Sequence, residues 1–465
     1  MPVINRLNYP ERIITDPFPG LAERMAAGKE IRTQVDRESH AETVSENHRP
    51  DPVQLLIDSN EGRIEQLVPI RYGRMLHSAF AFLRGSAVIM ADDLSRLPCS
   101  GIYVQCCGDC HLMNFGGYAT PERNLVFDIN DFDETLPAPF EWDVKRLASS
   151  VVVAGRYRGF SDKDNRKAAL SAVQMYTQKI REFAAMRQLE IWYNRIDEAA
   201  VIEFFKSDKD FVARVKESGQ KSRLRTHEFL FPKISHVDNG QRKIIDSPPL
   251  IYHPPDMDDL LKHAHTFFED YFDTLSNDKK SLLNRFRLED FAWKIVGVGS
   301  VGTRCLIALF SGGEDDAIIL QFKEGRKSVL ERAAGQSEFK NHGERIVIGQ
   351  QLMQTISDIF LGWSKTRNGV DFYVRQLRDM KSSANIDNFN PRILTKYSMA
   401  CGWALAKSHA KAGRAPEITG YIGKTDAFAG AVTEFALSYA DRTEKDFELL
   451  QAAEKSGRIT ANHEH

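Results

Sequence analysis

Near residue 110 the chain carries Gly108-Asp109-Cys110-His111-Leu112-Met113-Asn114, then an apolar run, Leu125-Val126-Phe127, that ends in Asp128 and leads into Asn130-Asp131-Phe132-Asp133. A carboxylate followed at short range by an amide and further carboxylates suits phosphoryl transfer. One group accepts or orients the acceptor proton, and two or three oxygens hold a divalent cation against phosphates. Asp109 is the candidate base, Asn114 and Asp128 are candidate magnesium ligands, and Asp131 competes with Asp128 for that role. Carboxylates this close repel one another unless a cation joins them. An acidic surface loop is the competing account, weakened by Phe127 and Phe132 embedded in the segment.

A second set lies far downstream. Gly297-Val298-Gly299-Ser300-Val301-Gly302 stands between strand-like runs, and Lys323 ends Ile318-Ile319-Leu320-Gln321-Phe322-Lys323. A G-x-G-x-x-G run serves dinucleotide-binding folds as well as phosphate lids. In the dinucleotide fold the third glycine opens a helix, whereas Gly302 runs into Thr303-Arg304-Cys305-Leu306-Ile307-Ala308-Leu309-Phe310, which favours a strand. The pattern predicts a hairpin lid, with Lys323 aimed beneath it at nucleotide phosphates. A bulged hairpin tip and a solvated strand-end lysine are the plainer accounts. Glu331 and Glu338 both follow Lys323 at distances that suit a supporting carboxylate, and spacing does not choose between them.

Cys107-Gly108-Asp109-Cys110-His111 also reads C-x-x-C-H, the attachment signature of c-type haem. That chemistry needs export, which the start of the chain does not suggest. Zinc on Cys107, Cys110 and His111 is less remote, although no second pair with zinc spacing lies nearby.

The elements that must position these residues are mixed. With 465 residues, 42% of them hydrophobic, the chain supports two or three packed units. Residues 1 to about 60 are polar and predict an extended arm or loosely packed helices. A helical segment spans Tyr72 to Leu97, a strand follows at Ile102-Tyr103-Val104, and helices fill Trp142 to Arg158, Asn165 to Leu189 and Ala199 to Glu217. Lys233 to Tyr252 predicts a hairpin around Asp238-Asn239-Gly240, and Asp256 to Arg287 is helical again. Strands are expected at Lys294 to Val296, Arg304 to Phe310, Ala317 to Phe322 and Phe372 to Leu377, interrupted by a helix over Gln336 to Thr355. Helices return at Tyr397 to Ala412 and Ala427 to Ala453. The domain boundaries expected are an arm at 1–60, helical parts at 61–290 and 381–465, and a small strand-rich part at 291–380.

The 62 basic and 64 acidic residues give a net charge of −2, so no long-range field favours nucleic acid or an anionic membrane. Local basic pockets remain open. Arg71, Arg74 and Arg84 are candidates for an anionic acceptor, although exposed arginines paired with acids are the ordinary case. Six cysteines are too sparse for a disulfide framework. The opening Met1-Pro2-Val3-Ile4-Asn5-Arg6 lacks a secretory pattern, and no apolar run reaches the roughly 20 residues that span a bilayer, so a cytoplasmic protein is expected.

Asp109 and Asn114 keep the D-x-x-x-x-N separation of the protein-kinase catalytic loop. Gly108, Asp109 and His111 further resemble the small-molecule kinases, whose loop reads H-G-D-x-H-x-x-N, with Cys107 in place of the leading histidine. Asp143 resembles the aspartate that braces this loop in aminoglycoside and choline kinases, and a helix-start aspartate explains it equally well. Tyr397 to Ala412, with Trp403, Leu405 and His409, resembles the helix that precedes the loop in kinases, yet it comes near the end of the chain. The resemblance implies an α+β kinase-like two-lobe fold, with a helix-rich large lobe and a small antiparallel-sheet lobe, whose chain order is circularly permuted.

Segments such as Phe80 to Gly85, Cys107 to Phe115, Phe127 to Leu136, Val296 to Arg304 and Cys401 to His409 look like the bacterial family called domain of unknown function 2252. That name carries no activity. The kinase-like resemblance implies ATP and magnesium as cofactors and transfer to a hydroxyl of a small molecule or protein. In that reading Asp109 and Lys323 are catalytic, Gly297, Gly299, Gly302, Lys323 and Glu331 serve the nucleotide, and Asn114, Asp128 and Asp131 serve the metal. A nucleotide-binding pseudokinase or sensor, or adenylyl transfer on the same parts, remains an alternative. The acceptor and the oligomeric state are not legible.

Overall fold

Short strands surround the acidic segment. β1 (Tyr103–Cys106) pairs antiparallel with β4 (Leu136–Pro139), placing Cys106 opposite Leu136. Between them β2 (Phe115–Ala119) and β3 (Leu125–Ile129) form a hairpin with Phe115 opposite Ile129. The pairing brings the residue before β2 beside the residue after β3, and the Asn130 amide donates to the Asn114 carbonyl at 2.8 Å. Side-chain alternation along these strands buries Val104, Phe115 and Ile129. The structure, a computed structural model, describes residues 19–224, 231, 233–238, 241–253, 257–295, 297–313, 316–377 and 380–463.

The β5 (Ser235–Asp238) and β6 (Gln241–Ile244) hairpin lies where turn chemistry predicts it; its Asn239 and Gly240 lie outside the described residues, as do Val296 and residues 1–18. An antiparallel sheet of six strands is built from β7 (Ile251–Tyr252), β8 (Arg287–Lys294), β9 (Cys305–Ser311), β10 (Ala317–Glu324), β11 (Gly362–Lys365) and β12 (Asp371–Gln376). Its order is β11-β12-β10-β9-β8-β7, and Lys323 on β10 stands opposite Cys305 and Tyr373. The helix Met257–Asp273 covers one face, where Phe267 and Phe268 meet Phe310, Phe322 and Phe372 edge-on or tilted. The helix expected over Gln336 to Thr355 is shorter, His342–Met353, because Asn341 caps its start by accepting from the Glu344 amide at 3.1 Å. β13 (Ser382–Ser383) joins the edge of β2.

Four helices supply the main apolar core: Phe140–Tyr157, Asp162–Ala184, Pro391–Lys411 and Ala427–Lys455. Pro391–Lys411 lies at its centre, packed along Asp162–Ala184, and begins with Asn390 capping the Ile393 amide at 2.9 Å. The segment read as one helix from Tyr72 to Leu97 is three, Val68–Met75, Ala79–Gly85 and Ala87–Ser95. Ser78 restarts the second by accepting from the Ala81 amide at 3.1 Å.

The described part of the arm is also more firmly attached than its hydropathy predicts. Arg24 pairs with Glu417 at 2.8 Å, and Arg49 reaches both Asp93 and Asp446 at 2.6 Å. Such contacts leave no apolar period in the sequence. Among the described residues, no helix is long and apolar enough to cross a membrane.

The deepest ion pair joins β3 to the central helix. Lys407 Nζ lies 2.7 Å from Asp128, and both side chains are fully buried. Lys407→Met leaves a buried carboxylate without its cation, and the expected cost is about 3–5 kcal/mol in a urea-unfolding measurement. Adding Asp128→Asn should recover a large part of that loss; a double variant no more stable than the single one would assign the cost to packing.

Candidate functional site

β1 delivers the chain to Cys107 and Gly108, whose amides donate to Asp143 at 2.8 and 3.0 Å. Asp143 lies in the first turn of Phe140–Tyr157, and His409 Nε2 stands 3.3 Å from the same carboxylate. His409 Nδ1 is in turn 2.9 Å from the Tyr176 hydroxyl. The chain must turn at once. Gly108 has φ +86°, and a Cβ there would lie 2.2 Å from the Glu134 carbonyl oxygen, so a side chain is excluded both by conformation and by space.

Past that turn, Asn114 Nδ2 donates to the Asp109 carbonyl at 2.7 Å, closing the loop on itself. The Asp109 carboxylate is paired with Arg146 at 2.7 Å, and His111 Nε2 lies 3.7 Å away. Burial raises the Asp109 pKa, with the Arg146 charge opposing it. Burial and the cations Arg84 and Arg146 push His111 well below its usual range, so its imidazole is neutral at pH 7.

A cleft of about 360 Å³ opens over this loop. Asp109, Asn114, Asp131, Asp133, Gly297 and Gly299 all line it. The glycine run connects antiparallel β8 and β9, with Gly297 at φ +67° and Gly302 at φ +87°. Gly302 sits at the base of the loop, where its carbonyl accepts from the Ile64 amide at 2.8 Å.

Lys323 on β10 is buried and is not among the cleft's lining residues; it pairs with Asp133, which is. The Tyr373 hydroxyl donates to Asp133 at 2.7 Å and Ser300 Oγ at 3.1 Å. Burial alone would raise the Asp133 carboxyl, but the Lys323 charge and these hydrogen bonds outweigh it and hold it at about 2. Burial and the neighbouring Asp133 raise Asp131. The two carboxylates therefore differ: Asp133 is paired with a lysine, whereas burial and that neighbouring carboxylate raise the pKa of Asp131.

Two candidates stand elsewhere. Asp128 faces the core, accepting from the Thr355 amide and hydroxyl, each at 3.0 Å, in addition to Lys407. Glu331 takes the Ser328 amide at 3.3 Å and lies 3.9 Å from His342, while the carboxylate at Lys323 is Asp133. Sequence spacing does not single out Asp133. Asp131 and Asp133 flank the buried Phe132 outside any strand, and both line the cleft.

The ligand-capable atoms of Cys107, Cys110 and Asp143 lie within 4.8 Å of one another, and those of Cys106, Asp143 and His409 form a second such group. Burial keeps these thiols protonated, raising Cys110 to about 12, and the Asp143 oxygens already bind two amides. His111 belongs to neither group. A larger cavity of about 490 Å³ beside β2 and β3, lined by Phe127, Phe211 and Tyr397, contains none of the residues singled out for phosphate or metal.

The fold is thus mixed α and β with antiparallel sheets. The chain belongs to the family described as an uncharacterized protein conserved in bacteria (DUF2252), whose model matches residues 63–453. No curated protein and no solved structure matches it.

Asp143→Ala strands the Cys107 and Gly108 amides in the interior, at a cost of about 1–3 kcal/mol for each donor left unpaired. Hydrogen exchange at these two amides should accelerate well beyond that of the β2–β3 ladder. Unchanged protection there would mean that Asp143 is not what holds the loop.

Proposed function

We propose that this protein is a magnesium- and ATP-dependent phosphotransferase acting on a hydroxyl, with a kinase-like two-lobe arrangement in permuted order. The supporting observation is convergence: two segments nearly 190 residues apart, about 109–133 and 297–323, meet at one cleft. The loop and its β2–β3 hairpin precede the glycine-bearing sheet in the chain, which is the basis for reading the order as permuted.

The cleft volume falls within the usual range of about 300–1,000 Å³ for small-molecule sites. Gly297 and Gly299 bring loop backbone to the cleft, and Lys323 with Asp133 supports the site from β10. Asn114 and Asp131 present hard oxygen donors, and the raised Asp131 pKa fits a site designed to share a cation. Magnesium there would neutralise phosphate charge. Asp131 replaces Asp128 in the proposed ligand pair because Asp128 is committed to Lys407. Asp109 orients or accepts the acceptor proton once its contact with Arg146 loosens.

That same contact favours a second reading. Two Arg146 nitrogens converge on one oxygen of the proposed base, an engagement expected of a nucleotide-binding sensor without turnover. Adenylyl transfer would use the same groups with a different phosphorus attacked.

Calorimetric titration with ATP should show magnesium-dependent binding, weakened about tenfold or more by Lys323→Ala and by Asp131→Asn. Asp109→Ala should retain nucleotide and abolish turnover. Release of ADP identifies phosphoryl transfer and release of pyrophosphate identifies adenylyl transfer; binding without either product supports the sensor. A folded wild-type protein that ignores ATP would sink the nucleotide reading.

A further inference from the structure

One wall of the cleft is basic in a way that the phosphotransferase reading does not use. Arg63, Arg71, Arg84 and Arg326 all line it, and among the described residues none forms an ion pair. Their hydrogen bonds go to neutral groups. Arg71, 2% exposed, donates to Ser59, Asn60 and the Gly85 carbonyl, and its Nε is buried without an acceptor. Arg63 donates to the Val301 and Ser59 carbonyls, and Arg326 to that of Glu61. Arg84 has no hydrogen-bond acceptor among the described residues; it lies over the Phe80 ring at 6.0 Å, with its Nε buried and unpaired.

The nearby carboxylates make their direct contacts elsewhere. Glu324 pairs with Arg304 at 3.2 Å, Glu134 accepts from the Val329 amide at 2.7 Å, and Asp58 takes Gln54 at 2.8 Å. Buried charges are ordinarily paired, and a guanidinium cannot shed its proton to escape the cost. Arg63, Arg71 and Arg326 also repel one another, as the lowered pKa of Arg63 reflects after the effect of its burial. Glu134, Glu324 and Asp109 act on Arg63, Arg71 and Arg84 from a distance, but among the described residues no carboxylate contacts any of the four arginines directly. A ligand bringing negative charge into the cleft matches that arrangement. Forked N–H donors converging from several residues suit the oxygens of a phosphate.

The location indicates which phosphate. Arg84 acts electrostatically on Asp109 and His111, whereas Lys323 acts on Asp131 and Asp133. Arg84 therefore belongs with the proposed base, and the lysine belongs with the proposed metal and nucleotide phosphates. We propose that Arg63, Arg71, Arg84 and Arg326 form a second anion subsite that binds a phosphate group on the acceptor, making the acceptor a phosphorylated hydroxyl compound. Assigning it to the acceptor rests on the phosphotransferase reading; the subsite itself does not.

The test is titration with inorganic phosphate, with and without magnesium and a non-hydrolysable ATP analogue. Phosphate should bind while the analogue is bound. Arg84→Gln and Arg326→Gln should each weaken it about tenfold or more, at unchanged melting temperature, and Lys323→Ala should leave it intact. Wild-type phosphate affinity in both arginine variants overturns the subsite. Mutual displacement of phosphate and analogue overturns it as well, because the arginines then serve the nucleotide's own phosphates. Arginine-dependent phosphate binding in a protein that does not bind the analogue supports the subsite and sinks the nucleotide reading instead.

Discussion

The candidate site depends on a carboxylate that does not line it. Asp143 holds two consecutive amides at the end of β1, and the loop carrying Asp109 and Asn114 takes its direction from those bonds. Its own orientation is shared with His409, which meets Tyr176, so three of the four core helices fix one turn of backbone. Buried polar networks are stabilising only when each member is satisfied. Here the satisfied network explains how a loop that turns at Gly108 is held in a fixed shape.

Charge is then partitioned across the cleft. Asp133 is assigned to Lys323, Asp109 to Arg146, and Asp128 to Lys407 in the core, which leaves Asp131 as the acidic group with the least compensation among these four. Carboxylates crowded in one short sequence segment thus do different work because each meets a different cation from a distant element. Binding at the cleft would redistribute these pairings, so a ligand's affinity includes the cost of separating partners already in contact.

Much of this was legible because it follows local rules. The strand expected after Gly302 is present as β9, and the helix expected over Tyr397 to Ala412 is present but begins six residues earlier at Pro391. The strand before the glycines lies at Arg287–Lys294 rather than Lys294 to Val296. The loop motif identified Asp109 and Asn114 as neighbours, and the structure places them so. Partners were much less legible. Nothing local to Lys323 distinguishes Glu331 from Asp133, which lies 190 positions away, and nothing local to Asp128 reveals Lys407. Hydropathy also misread the arm, since Arg24 and Arg49 look solvated until their acidic partners near the other end of the chain are known.

The central position of Pro391–Lys411 affects how the molecule is made. This helix fills the space between helices formed from residues 140–184, and Arg49 finds Asp446 only when nearly the whole chain exists. During synthesis the N-terminal half would leave the ribosome with the apolar faces of Phe140–Tyr157 and Asp162–Ala184 uncovered for the time needed to translate more than 200 further residues. Contacts this distant along the chain also slow folding through loop-closure entropy. With this connectivity the core closes only once Pro391–Lys411 is available to cover those two helix faces.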